Sequence, residues 1–175
     1  MEIILILVII VQSFAISLGV GSSTIAVINF FVAIGDGTID VSERKIMGVT
    51  YRLLRLAMWA ILFTTGLLIF VTILGGGVQA LTTYAVAQLV LIFVLFLNAA
   101  LMTKRIMPSA FGPAIQAGSW YTLGTLAALV PLSLTSFTYL QFFLGYVTAL
   151  TLAVSLINGV MAYQKEHRPV TPTTI

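Results

Sequence analysis

A chain of 175 residues that is 60% hydrophobic and 7% charged falls outside the water-soluble class. There about a quarter of residues are charged, and a core of limited size cannot hide so large an apolar majority. A polytopic membrane protein remains, with room for one helical bundle and no second domain. The net charge of +3 is what the loops of a membrane protein leave behind and gives no reason to expect nucleic acid as a partner. There is no cysteine, and the single histidine, His167, lies near the C-terminus, so disulfides, thiolate chemistry and a helix-held haem are excluded and no cofactor is expected.

The first apolar run, residues 3–34, follows Glu2 rather than a basic segment. It is too long for a signal sequence and reads as a retained helix. A polar interruption, GDGTIDVSER at 35–44, separates it from a second run, 41–74, which is apolar from Leu56 onward and breaks at the glycines 75–77. The third run, 78–103, is closed by TKRIMP at 103–108. The fourth, 109–130, is stopped by Pro131, which cannot donate to a helical ladder. The fifth covers 137–164. A helix needs about 20 apolar residues to cross a bilayer. The expectation is therefore an all-α polytopic membrane helix bundle of five transmembrane helices in residues 1–164, opened by a long helical hairpin. Residues 165–175, with two prolines and no apolar period, are expected to form an extended, mobile tail.

Basic residues set the orientation. Arg44, Lys45, Arg52 and Arg55 lie between runs one and two, Lys104 and Arg105 between three and four, and Lys165 and Arg168 after five. All fall on one side of a five-span chain. The positive-inside rule makes that side cytoplasmic, with the N-terminus outside and the C-terminus in the cytoplasm of a bacterial-type inner membrane.

Each arm of the first hairpin is about 50 Å of helix, against a hydrocarbon core of about 30 Å. It must tilt or project. Arg44, Lys45, Arg52 and Arg55 share a helical face with Gly48 and Tyr51, while Ile46, Val49, Leu53 and Leu56 occupy another. The basic face is expected at lipid headgroups, either as simple snorkelling at a helix end or as a dedicated lipid or partner site.

The polar interruption has two readings. With Gly37 at the sixth position of an EF-hand loop, Asp36 falls at five, Asp40 at nine and Glu43 at twelve, but Val32 and Ile34 fall at one and three and offer no side-chain oxygen. A capped turn uses the same letters fully. Gly35 and Gly37 permit the reversal, and Asp40 with Glu43 three residues on makes a capping box at the next helix start. The turn is the preferred reading, and no metal site is expected.

Small residues repeat at four-residue spacing in Ala15, Gly19 and Ser23, in Ala114 and Gly118, in Gly124 and Ala128, and in Gly145, Ala149 and Ala153. Such ridges let helices approach closely, within one chain or between copies of it. Asn29, Asn98 and Asn158 each lie six or seven residues before an expected cytoplasmic boundary, at Asp36, Lys104 and Lys165, and Gln116 reaches a similar depth from the opposite direction. This polar layer would either line a solute path or link helices by hydrogen bonds. The middle of each run is free of Asp, Glu, His and Lys, the groups that proton-driven carriers usually place there. No catalytic triad, carboxylate pair or phosphate loop is present, so no enzyme is expected.

The stretch LGVGSSTIAVINFFVAIGDGTIDVSERKIMGVTYRLLRLAM, residues 18–58, resembles a recurring segment of small uncharacterised multi-span bacterial membrane proteins, through its GVGSST, DGTID, ER and MG elements. The layout is also distantly similar to the copper-resistance D-like membrane proteins. Those proteins carry histidines in their spans, and this chain has none at matching positions, so neither a cofactor nor a site residue carries over. Two functions stay open. One is a non-catalytic scaffold or complex subunit, homo-oligomeric or in a hetero-complex. The other is a small oligomeric channel or passive carrier.

Overall fold

The structure, a computed structural model, describes residues 2–36, 40–108 and 111–166, and no side chain for residues 34–36 and 165. Among them are five helices: α1 (Glu2–Asp36), α2 (Val41–Gly76), α3 (Thr83–Thr103), α4 (Gly112–Leu129) and α5 (Tyr139–Glu166), with a single 3₁₀ turn, Val78–Ala80, before α3. The described chain contains no strand. By length and composition, α1 over Glu2–Ala33, α2, α3 and α5 over Tyr139–Gln164 can each cross a membrane. α4 falls short in apolarity, with three glycines, a proline, a glutamine, a serine and two threonines in 18 residues.

The helix ends follow local chemistry. Asp40 caps α2: its Oδ1 accepts from the Glu43 amide at 2.6 Å, and its own amide donates to Glu43 Oε2 at 3.0 Å. The expected box is in place. α2 runs on through Gly76 and breaks at Gly77, whose φ of 73° suits a residue without Cβ. The third helix starts later than the run at 78 suggested, because Thr82 Oγ1 accepts the Ala85 amide and caps it there. Pro113 sits in the first turn of α4, where its missing N–H goes unused. Thr138 and Gln141 form a second capping box ahead of α5. α5 continues through Glu166, past the expected end at Gln164. α3 and α4 end alike: Ile106 donates to the Leu101 carbonyl and Leu134 to the Leu129 carbonyl, with Arg105 and Ser133 left-handed at φ 57° and 56°. Glycine usually takes that place in this motif.

α4 is the axle of the bundle. It packs on α1, α3 and α5 and buries Ala114, Ala117, Gly118, Ser119, Trp120 and Leu123. Its small residues allow close approach: a Cβ on Gly118 would stand 3.0 Å from Leu150 Cδ2 and 3.4 Å from Ala153 Cβ. Trp120, 0% exposed, lies flat over Gly19 of α1.

Each of the four closest helix junctions also carries one hydrogen bond between side chains. Gln12 donates to Thr65 Oγ1 at 2.8 Å between α1 and α2. The Thr24 and Tyr121 hydroxyls pair at 2.9 Å between α1 and α4. Asn98 donates to Gln116 Oε1 at 3.0 Å between α3 and α4. The Ser119 and Tyr146 hydroxyls pair at 2.7 Å between α4 and α5.

These pairings make successive helices antiparallel. The start of α2, the end of α3 and the end of α5 therefore share one end of the bundle, and with them Arg44, Lys45, Arg52, Arg55, Lys104, Arg105 and Lys165. At this basic end the first hairpin projects. Trp59 meets Phe96 edge-on with ring centroids 5.2 Å apart. Seven residues separate Phe96 from the end of α3, so residues 41–51 of α2 lie beyond α3 by roughly 15 Å at the helical rise.

Candidate functional site

The polar residues of the basic end converge on α4. Asn98 is 2% exposed on the inner face of α3. Its Nδ2 donates to the Gly112 carbonyl at 2.9 Å and to Gln116 Oε1 at 3.0 Å, and touches Met102 Sδ at 3.6 Å. Gln116 Nε2 in turn points at Met58 Sδ, 3.7 Å away on α2. Two carbonyl acceptors fix the orientation of the Asn98 amide, since the flipped form would set oxygen against oxygen. Its Oδ1 is buried without a hydrogen-bond partner, which costs about 1–3 kcal/mol.

Beside this cluster lies a cavity of about 290 Å³ enclosed by α1, α2, α3 and α4. Its walls are apolar, with Ala26, Phe30, Leu54, Ala99 and Pro113 among them. Five polar residues line it: Ser23, Tyr51, Arg55, Gln116 and Thr103, the last donating its hydroxyl to the Ala99 carbonyl. Ser23 is 1% exposed and makes no hydrogen bond to a described residue, unlike Thr24, which bonds back to the Val20 carbonyl. Arg55 has no carboxylate or carbonyl partner among the described residues. Arg52, one turn earlier, donates to the Gly48 carbonyl.

No family model matches this chain, and neither a curated protein nor a solved structure is similar to it.

Of the four carboxamides of the polar layer, the structure joins Asn98 and Gln116. Asn29 and Asn158 are each half-buried. The Nδ2 of Asn29 is shielded without a partner. The basic stripe of Arg44, Lys45, Arg52 and Arg55 is exposed along α2, and so are Ile46, Val49, Leu53 and Leu56. The face of α2 that the bundle buries is a third one, through Thr50, Leu54, Ala57 and Ile61. Residues 37–39 of the acidic turn and the tail 167–175, with His167 and Arg168, lie outside the described residues.

The small-residue ridges divide. Ala15, Gly19 and Ser23 are all buried inside the chain, with Gly19 against Trp120. Gly124 meets Val20. On α5, Ala153 packs on Gly118, but a Cβ on Gly145 would touch nothing. Gly145 and Ala149 line an open apolar groove between α4 and α5. Gln12–Thr65, Thr24–Tyr121 and Ser119–Tyr146 are pairings that sequence reasoning missed. Their signal was a lone polar residue in an apolar run, with no indication of the partner.

Proposed function

We propose that this chain is a non-catalytic integral membrane protein, a scaffold or a subunit of a larger membrane complex, that associates with copies of itself. The observation that carries this reading is the use of the intramembrane polar residues. Those bonded to another side chain between helices meet chiefly as one pair at each of four separate helix junctions, which suits structural links of about 0.6 kcal/mol each better than a continuous polar path. Self-association is supported by Gly145, whose open surface faces a groove that none of the described residues fills. The test is mass by light scattering, corrected for detergent, on the unmodified protein and on Gly145→Leu. A multimer that Gly145→Leu reduces to monomer is expected. Because nothing in the protomer opposes a side chain there, this variant separates assembly from folding, which Gly19→Leu does not. A monomer in several mild detergents and in nanodiscs would overturn self-association.

The alternative, a small oligomeric channel or passive carrier, has one observation in its favour, the cavity beside Gln116. Ion or solute flux through liposomes carrying the purified protein would establish it and displace the scaffold reading.

The proposal includes five spans, with the N-terminus outside and the C-terminus in the cytoplasm of a bacterial-type inner membrane. α4, about 27 Å long at 18 residues, is shielded by three helices and can cross with few lipid-facing apolar side chains. A cytoplasm-only fluorescent reporter after Ile175 and a periplasm-only enzymatic reporter at Gly77 should both be active. A silent C-terminal reporter on a well-expressed fusion would refute this topology.

A further inference from the structure

We propose that the cavity at the basic end binds the phosphate headgroup of one anionic phospholipid, taken from the surrounding leaflet. Its position comes first. The cavity lies level with the end of α3, because Thr103, the last residue of that helix, is on its wall. α3 has 21 residues, about 30 Å of helix, which matches the hydrocarbon thickness of a bilayer. The cavity therefore opens at the depth where acyl chains give way to headgroups.

Its chemistry is mixed. Apolar walls from Ala26, Leu54 and Ala99 stand beside the polar groups and suit the glycerol and first acyl carbons. Arg55 supplies a guanidinium with no partner among the described residues, and its fork of donors fits phosphate oxygens in a bidentate pair. Tyr51 adds a hydroxyl on the same wall, and Ser23, buried as a residue, turns to the cavity a hydroxyl that makes no bond to its own helix. Its oxygen is reachable from the cavity rather than sealed, and a phosphate ester oxygen there would accept its hydrogen bond. At about 30 Å³ per water in the liquid, a cavity of about 290 Å³ holds a headgroup phosphate and its first carbons, not a whole lipid. The remaining chain stays in the bilayer, which favours a lipid over a free solute. The neighbouring charges on the cavity-lining segments, Arg52, Lys104 and Arg105, are cationic, so a headgroup carrying its own amine is disfavoured.

The experiment titrates the full-length protein in maltoside micelles with dioleoyl phosphatidylglycerol or dioleoyl phosphatidylcholine and counts retained lipid by native mass spectrometry. One phosphatidylglycerol per chain should saturate first, ahead of phosphatidylcholine. Arg55→Gln should weaken it about fivefold, the loss of one charged contact. Arg44→Gln with Lys45→Gln, which leaves the cavity untouched, should not. Ala99→Phe keeps every charge but fills the cavity and should weaken binding as Arg55→Gln does. If Arg55→Gln does not fold, Ala99→Phe and Arg55→Lys carry the test, the lysine being expected to bind more weakly because it lacks the fork. Equal retention of both lipids, or unchanged binding in Arg55→Gln or Ala99→Phe, overturns the proposal. So does a loss in the Arg44, Lys45 pair as large as that in Arg55→Gln, which would mark diffuse surface attraction. Displacement of the lipid by millimolar sodium phosphate would assign the cavity to a free oxyanion instead.

Discussion

Replacing Gly19 by alanine tests the central contact of the bundle. A Cβ built on Gly19 falls inside van der Waals contact of Cζ3, Cε3 and Cη2 of the Trp120 ring. The ring is 0% exposed and cannot swing into solvent or lipid, so α1 and α4 must part. Overpacking of this kind costs about 1–3 kcal/mol. The gain in helix propensity from glycine to alanine returns at most about 1 kcal/mol. The net expectation is a loss of about 1–2 kcal/mol, with the Thr24–Tyr121 hydroxyl pair, 2.9 Å long, stretched as a side effect. The assay is unfolding by dodecyl sulfate titration in mixed micelles, as a cycle with Trp120→Phe. In that background the smaller ring gives way, and Gly19→Ala should be neutral or stabilising. A Gly19→Ala protein as stable as the parent, or an equal loss in both backgrounds, would refute the contact.

The remaining predictions use the same unfolding measurement. Asp40→Ala should lose about 1 kcal/mol by removing the cap of α2, while millimolar calcium leaves the parent and Asp36→Asn unchanged; a calcium-dependent rise in melting temperature abolished by Asp36→Asn would reverse the choice of turn over ion site. Ser119→Ala and Tyr146→Phe should each cost about 0.6 kcal/mol, and together no more than either alone, because both remove one bond. Arg105→Gly should stabilise by about 0.5–1 kcal/mol, the relief of a left-handed side chain less the extra freedom of glycine in the unfolded chain; a loss of stability would mean that the arginine side chain contributes more than its backbone conformation costs.

The helices were legible because each apolar run is long and its interruptions are polar or glycine-rich. Asp40 with Glu43 was legible for a different reason: a capping box is local, and all its atoms lie within four residues. The start of α3 was not, since residues 78–82 are apolar enough to continue a helix and only the Thr82 side chain competes for the Ala85 amide. For the polar layer, the helical rise supplied depth along the membrane, and Asn98 and Gln116 do meet. Rise says nothing of rotation about each axis, which decides that Asn158 is not part of the same bond network. The ridges showed a similar limit. Four-residue spacing marked Gly19 and Gly145 alike, yet one lies under Trp120 and the other faces open space. The cavity was invisible, because its lining comes from four helices and its polar members, Ser23, Tyr51, Arg55, Thr103 and Gln116, are ordinary residues singly.

A helix wrapped by its neighbours is a poor candidate for insertion on its own. α4 presents glycine, serine, threonine and a tryptophan that the finished bundle covers with α1, α3 and α5. During synthesis α1 and α3 are made before α4, but the cover that α5 provides is missing until it follows. Backbone and side-chain polar groups left facing lipid cost several kcal/mol, so an isolated α4 would tend to slip back to the aqueous side. In the proposed five-span arrangement the order of assembly is thus built into the chain: α4 should be held at the insertion machinery and released into lipid together with α5. Truncation after Leu129 should then leave α4 accessible to water-soluble labelling reagents, and extension through Glu166 should protect it.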